Sequence, residues 1–247
     1  NGQVTETKII ACKKLFLCGG SIGTTNLLVA AKGKGDLPGL DNSIGQTWGN
    51  NGNIMTGRNF VNTVFNKVFP PQKNSPGRGT GVNQSSIPVI GINNWYDRVH
   101  PFFAEISPFP MGMEVYTALY LLINKVPHKG YFFWDGTTQA VQLKWDKQNW
   151  EHAYNNAKYF IERMRKVNGG TRTHLFFHNG FGADICYHPL GGCVLGQSTD
   201  NYGRVRGYKN LYAIDGSLVP GTIGVNPFLT ITAIAEYCIE DIILNDF

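Results

Sequence analysis

The sequence lacks any run approaching the ~18 apolar residues needed to cross a bilayer; its unbroken apolar stretches are short, such as Leu15-Phe16-Leu17. Cysteine is scarce: five in 247 residues, at Cys12, Cys18, Cys186, Cys193 and Cys238, with no Cys-x-x-Cys pair. An odd, sparse set argues against a disulfide framework. Cys12, Cys18 and Cys238 lie within or beside apolar segments, where buried free thiols are expected. Neither sign of charge dominates, with 22 Lys and Arg against 17 Asp and Glu, a formal charge of +5. The cations are scattered, and the cluster Arg163-Met164-Arg165-Lys166 closes a helical pattern whose dipole favours them, so no nucleic-acid partner is expected. There is no repeat, and no basic amphipathic helix of the kind that lies on a membrane. Composition alone leaves the compartment open.

What is present suits a packed core. Hydrophobic residues make up 42% and aromatics 13%, which excludes disorder, and 30 Gly with 12 Pro imply many tight turns. Residues 3–17 read as strand, Cys18-Gly19-Gly20-Ser21-Ile22-Gly23 as a Gly-rich turn, and residues 24–31 as helix. That order is half of a nucleotide-binding unit. A loop-like stretch over 33–58 follows. Short strand candidates at 86–90, 102–106, 114–123, 130–134 and 140–145 then read as a mixed or antiparallel sheet. Residues 150–167 carry a helical stripe of Ala153, Ala157, Phe160, Ile161, Met164 and Val167. Residues 210–214 form a buried strand ending in Asp215-Gly216, and residues 228–244 form a final helix. The expectation is an α/β domain interrupted by a sheet: residues 1–58 and 179–247 on one side, 59–178 on the other. Because the chain opens on Asn1-Gly2, it is also expected to be the back part of something longer.

Four groups of residues could carry chemistry. The first is the Gly-rich turn, where Gly19 and Gly20 let backbone approach a phosphate; as a dinucleotide fingerprint it has Cys18 in the first glycine's place and no acidic residue suitably downstream. The second is Cys186-Tyr187-His188-Pro189-Leu190-Gly191-Gly192-Cys193. Here His188, stiffened by Pro189, suits an acid, base or hydrogen-bonding role beside a flat cofactor, while Cys186, His188 and Cys193 leave a metal-binding reading open. The third joins Asp215-Gly216, a strand-end carboxylate that could grip a hydroxyl, to Asn226-Pro227-Phe228, which open a helix whose free amides favour anions. An ordinary Asn cap is the plainer alternative there. The fourth is Glu105 among Phe102, Phe103, Ile106 and Phe109, either a desolvated base or a residue on the wet face of a strand.

Together these segments resemble the cholesterol oxidases of the glucose–methanol–choline oxidoreductase type. The resemblance is carried by residues 15–23, Gly52-Asn53-Ile54-Met55-Thr56, Gln84-Ser85-Ser86-Ile87-Pro88, Phe103-Ala104-Glu105-Ile106, residues 186–196, Gly203-Arg204-Val205 and residues 208–235, from one end of the chain to the other. It implies an FAD-binding, Rossmann-like domain in part, interrupted by a substrate-binding sheet domain. It also implies oxidation of a 3β-hydroxysteroid by O2 to a ketone and H2O2, with isomerisation of the Δ5 to the Δ4 double bond. In that reading Glu105 is the isomerisation base, His188 hydrogen-bonds the steroid hydroxyl, and Asn226 stabilises reduced flavin. Gly19, Gly20, Asp215, Gly216, Asn226, Pro227 and Phe228 fall on cofactor-contacting turns, and no metal is involved. The implied partners are the sterol, O2 and the N-terminal half of the enzyme, which carries the primary G-x-G-x-x-G. Transient contact with a membrane surface and a secreted or periplasmic bacterial location are likewise implied. The alternatives are another alcohol within the same family, or a non-catalytic or metal-binding fragment.

Overall fold

The computed structural model describes residues 6–59, 91–107, 117–168, 171–173 and 186–247. Leu15–Leu17 (β1) pairs in parallel with Leu211–Ala213 (β9), joining the two ends of the chain into one α/β unit. The strand is far shorter than the expected 3–17, because residues 6–14 find no partner among the described residues and Ile9 and Ile10 stand exposed. The other edge of β9 is covered by residues 203–205 through Val205 N–H to Leu211 O and Ala213 N–H to Gly203 O. The Gly-rich turn leads directly into α1 (Gly20–Lys34), which starts earlier than the expected 24 because Gly19, not Gly23, is the residue before its first turn. It buries Leu28 and Val29 in the core that also holds Leu17, Leu211, Tyr212 and Phe132, and turns Thr24 and Thr25 toward Asp215 and Gly191.

The middle of the chain forms an antiparallel sheet, to which only the 102–106 and 114–123 candidates among the expected strands of the described residues contribute. Ile54–Asn59 (β2), Gly91–Asn93 (β3), Phe102–Ser107 (β4), Thr117–Asn124 (β5) and, later, Thr171–Thr173 (β8) pair antiparallel in the order β3-β4-β5-β2-β8. β2 lies inside the stretch read as loop, where neighbouring Asn and Gly hid it; the 86–90 candidate lies outside the described residues. Gln148–Asn168 (α2) packs Ala153, Ala157, Phe160 and Ile161 onto Ile54, Phe102, Tyr120 and Leu122. Each large side chain buried this fully contributes about 1.5–3 kcal/mol. Val167 departs from the expected stripe, being exposed at the helix end. Tyr131–Asp135 (β6) and Ala140–Lys144 (β7) form a separate hairpin, whose Phe132, Trp134 and Val141 join the core around α1 rather than the sheet core.

Phe228–Asp246 (α3) closes the chain. It is held by Arg204, whose Nε and a terminal nitrogen donate to Asp246 at 2.9 and 3.0 Å and which also pairs with Asp241 at 2.8 Å. Tyr212 donates its hydroxyl to Asp246 as well. Only Cys238 and Ile242 of this helix are buried, and Phe228, Leu229 and Leu244 stand exposed. Two of the cysteine expectations are corrected: Cys12 is exposed because residues 6–14 form no strand to bury it, and Cys18 is exposed on the turn just after β1, whereas Cys238 is buried.

Candidate active site

Asn51 and Asn53 place the candidate catalytic residues. They stand in a tight turn between the α/β unit and β2, with Asn51 at φ +55° and Gly52 at φ +63°. A Cβ on Gly52 would lie 2.1 Å from the carbonyl oxygen of Asn124, so only glycine fits. Asn124 grips Gly52 O with both its backbone N–H (3.0 Å) and its side-chain Nδ2 (2.7 Å), fastening the turn to the end of β5.

Asn53 holds the His188 segment. Its Oδ1 accepts the backbone N–H groups of Tyr187 at 2.9 Å and His188 at 3.0 Å. Because backbone amides only donate, that atom is the oxygen, and the Nδ2 of Asn53 therefore faces His188 Nδ1 at 3.2 Å. An amide nitrogen can only donate there, so Nδ1 carries the lone pair and the ring proton sits on Nε2. His188 is half-buried, and desolvation lowers its pKa below the ordinary histidine value of 6.5. A second proton would set N–H against N–H at Nδ1, which acts in the same direction. At neutral pH the ring is thus a neutral donor through Nε2, able to hydrogen-bond an alcohol oxygen but not to take a proton there.

Asn51 holds the Asn226 segment, its side chain bonding to Ile223, Gly224 and Val225. Asn226 does not cap the final helix as a plain Asn cap would. Pro227 is the cap residue, with no side-chain capping bond, and the Nδ2 of Asn226 instead points to Glu105, 3.0 Å from Oε2 and 3.4 Å from Oε1. Glu105 is half-buried on β4, opposite Leu121 and Gly91, and makes no ion pair among the described residues. Of the sequence-derived candidates, Glu105 and Asn226 are therefore in contact, and His188 hangs on the same turn. Phe109, expected beside Glu105, lies outside the described residues.

Asp215 has become a tie within the fold. Its Oδ2 accepts Gly20 N–H at 2.9 Å and the Thr24 hydroxyl at 2.5 Å, and its Oδ1 accepts Ser217 N–H at 2.8 Å. It thus locks the start of α1 to the short 3-10 turn Gly216–Leu218, and Oδ1, with a single donor, keeps room for one more. Gly19 donates its N–H to the Thr24 hydroxyl. Side chains at Gly20 and Gly23 would meet nothing within 4 Å, so this turn is open on its outer side. The Cys186, His188, Cys193 metal reading is corrected: no group of three His, Cys, Asp or Glu among the described residues could hold a metal. Cys193 is sealed in the core with its thiol pushed up to about 12, by burial first and by Asp215 second, so it stays protonated. Sequence reasoning assigned no role to Asn51 or Asn53: Gly52-Asn53 lies in a stretch that carries the resemblance, but Gly49-Asn50-Asn51-Gly52-Asn53 otherwise reads as loop.

Comparison with known proteins matches the family profile "GMC oxidoreductase, C-terminal" to residues 51–178 and the profile "GMC oxidoreductase" to residues 140–235. The chain is similar to a cholesterol oxidase of Acinetobacter baumannii, 42% identical over 89 residues, which is 32% of this chain and 15% of that protein. It is also similar to one of Mycobacterium tuberculosis (H37Rv), 41% identical over 75 residues, 28% of this chain and 12% of that protein. Its fold is similar to an FAD-dependent oxidoreductase of Chaetomium thermophilum, with TM-score 0.55 and 13% identity over 97% of this chain and 56% of the other. An Aspergillus oryzae formate oxidase is similar at TM-score 0.57 and 11% identity, over 92% of this chain and 53% of the other. The chain thus spans about half the length of those solved structures, and the matched stretches are a small part of the curated relatives.

The tautomer argument is testable by NMR titration of the His188 ring. The wild-type ring should titrate below 6.5, so through this group the fold loses stability as pH falls below that value, where the unfolded chain takes up the proton first. Asn53→Asp places an acceptor at Nδ1, stabilises the charged ring and should raise its pKa. A pKa that stays or falls in this variant would refute the assigned tautomer.

Proposed function

The chain belongs to the GMC oxidoreductase family, and we propose that it is the C-terminal part of a flavin-dependent oxidase of 3β-hydroxysteroids that also isomerises the Δ5 ketone. Its cofactor is FAD. The residues present fit that group. The first turn of α3 carries no acidic side chain to repel an anion, whereas at the start of α1 the Asp215 carboxylate already takes Gly20 N–H, so there the open glycine turn offers room for the cofactor rather than a free anion site. Ile22, Tyr187, Val225 and Phe228 stand exposed near these turns and the His188 and Asn226 segments, apolar surface that a flat ring system and the front half of the enzyme would cover. FAD supplies the hydride acceptor.

The observation that carries the steroid reading is the contact between Glu105 and Asn226. A carboxylate without a cation among the described residues, held by a carboxamide from the flavin-side loop, is placed to move a proton within a bound ketone. Isomerisation of a Δ5-3-ketone requires one base to take a proton from C4 and return it at C6, and Glu105 would do both. His188 donates from Nε2 to the substrate oxygen and fixes the hydroxyl relative to the ring system. A family member acting on a simple alcohol would have no isomerisation to perform and no use for this carboxylate. The relatives' cholesterol oxidase names agree with this reading. In the complete enzyme the front half supplies the pyrophosphate site, the sterol enters over the sheet, and O2 reoxidises the flavin to give H2O2. A transient membrane-surface contact and a secreted or periplasmic site belong to the same proposal.

The test uses the full-length enzyme loaded with FAD. Glu105→Gln should leave oxidation of cholesterol nearly intact and let the Δ5 ketone accumulate. His188→Ala should slow flavin reduction by roughly 10²-fold or more. If the Gln variant still forms Δ4 ketone at the wild-type rate, the base is elsewhere; if the wild-type enzyme oxidises other alcohols but no sterol, the substrate assignment fails.

A further inference from the structure

Five consecutive residues before Asn226 are bound to one side chain or its own backbone. Asn51 is fully buried. Its N–H donates to Gly221 O at 3.2 Å, and its Oδ1 accepts Ile223 N–H at 2.9 Å and Gly224 N–H at 3.3 Å, while the Thr222 hydroxyl shares its one proton between that Oδ1 (3.2 Å) and Asn124 O (3.1 Å). Its Nδ2 donates to Val225 O at 2.8 Å. With the oxygen facing two obligate donors and the nitrogen facing an obligate acceptor, the carboxamide has one orientation and no capacity to swap ends. On the opposite side Trp95 closes the clamp. Its indole N–H donates to Gly224 O at 3.0 Å, and its ring lies so close that a Cβ on Gly224 would sit 2.4 Å from Cζ2. The residue after Val225 is Asn226, whose side chain is left free of helix capping and reaches Glu105.

We propose that Asn51 is a positioning residue for the reaction: by fixing Thr222 to Val225 against the turn before β2, it sets where the Asn226 carboxamide stands relative to Glu105 and the flavin. The proposal rests on the reading of Asn226 as the flavin-side residue. It assigns to Asn51 no contact with substrate or cofactor. Its influence passes entirely through the loop, so removing Asn51 should act like misplacing Asn226, and an ångström-scale displacement of such a group costs on the order of 10²-fold in rate.

Two readouts test it. Amide hydrogen exchange, measured on the protein without turnover, should show Ile223 and Gly224 exchanging at least about tenfold faster in Asn51→Ala, with the β4 and β5 amides unchanged. In the flavin-loaded full-length enzyme, flavin reduction should be slowed in Asn51→Ala and in Asn226→Ala, and the double variant should be no slower than Asn226→Ala alone. Multiplying losses, or unchanged exchange at Ile223 and Gly224, would overturn the proposal. If Asn226→Ala by itself leaves flavin reduction unchanged, the functional reading of Asn226 fails, while the exchange result still decides whether Asn51 holds the loop. Should Asn51→Ala not fold, Asn51→Asp keeps the acceptor for Ile223 and Gly224 but sets an oxygen against Val225 O. It should show the same pattern more weakly, and a wild-type pattern in that variant would count against Asn51.

Discussion

Buried carboxamides must have their hydrogen bonds satisfied, and the site depends on how the Asn51-Gly52-Asn53 turn meets that demand. An unpaired amide in the interior costs on the order of 1–3 kcal/mol, so each Asn can be buried only where polar partners surround it. The partners here are the backbones of two separate loops, one leading to His188 and the other to Asn226. The turn is in turn fixed by Asn124, whose Oδ1 accepts from Asn156 of α2 at 2.9 Å; Asn156 also donates to Pro101 O at 3.2 Å. A chain of side-chain amides thus runs from the helix that backs the sheet to the two loops that bear His188 and Asn226.

This arrangement explains why a carboxylate from the sheet and groups from the α/β unit can work as one site. Glu105 is placed by the ladder of β4, whose register with β5 is set over six residue pairs from Phe102 to Ser107. Asn226 and His188 come from segments with little regular structure, which have no ladder of their own to fix them. The amides of the turn take that role, and they belong to the stretch that enters the sheet. On the other side, Asp215 does the same for the Gly-rich turn, tying the start of α1 to the segment after β9. Two kinds of polar tie, one of amides and one of a carboxylate, therefore hold the loops that regular secondary structure leaves unassigned.

The parts legible in the sequence were those with a period or a signature. The α2 stripe, the apolar and β-branched strands β4 to β7 and the strand–turn–helix at the Gly-rich turn follow from composition and spacing. Glu105, His188 and Asn226 were found because each lies in a motif of the resembling family, and Glu105 and Asn226 turned out to touch. Short strands such as β2 were hidden by flanking Asn and Gly, since a strand held by its neighbours needs little propensity of its own. The roles of Asn51 and Asn53 were not legible because a buried Asn is written in the same letters as a surface turn. Only the partner loops, more than 130 residues later, show which it is. For the same reason Asp215 read as a carboxylate for a ligand hydroxyl rather than as a tie within the fold, and the short β1 left Cys12 in solvent.

The central claim is that one turn positions both the His188 and the Asn226 segments, and substitution at its glycine tests it most directly. Gly52→Ala forces a Cβ against Asn124 O and a positive φ that alanine resists. NMR on this variant should show the His188 pKa rising toward 6.5 and the Ile223 and Gly224 amides losing protection together, while the β4–β5 ladder persists. A change at one loop without the other, or at neither, would mean that His188 and Asn226 are positioned independently and would contradict the account.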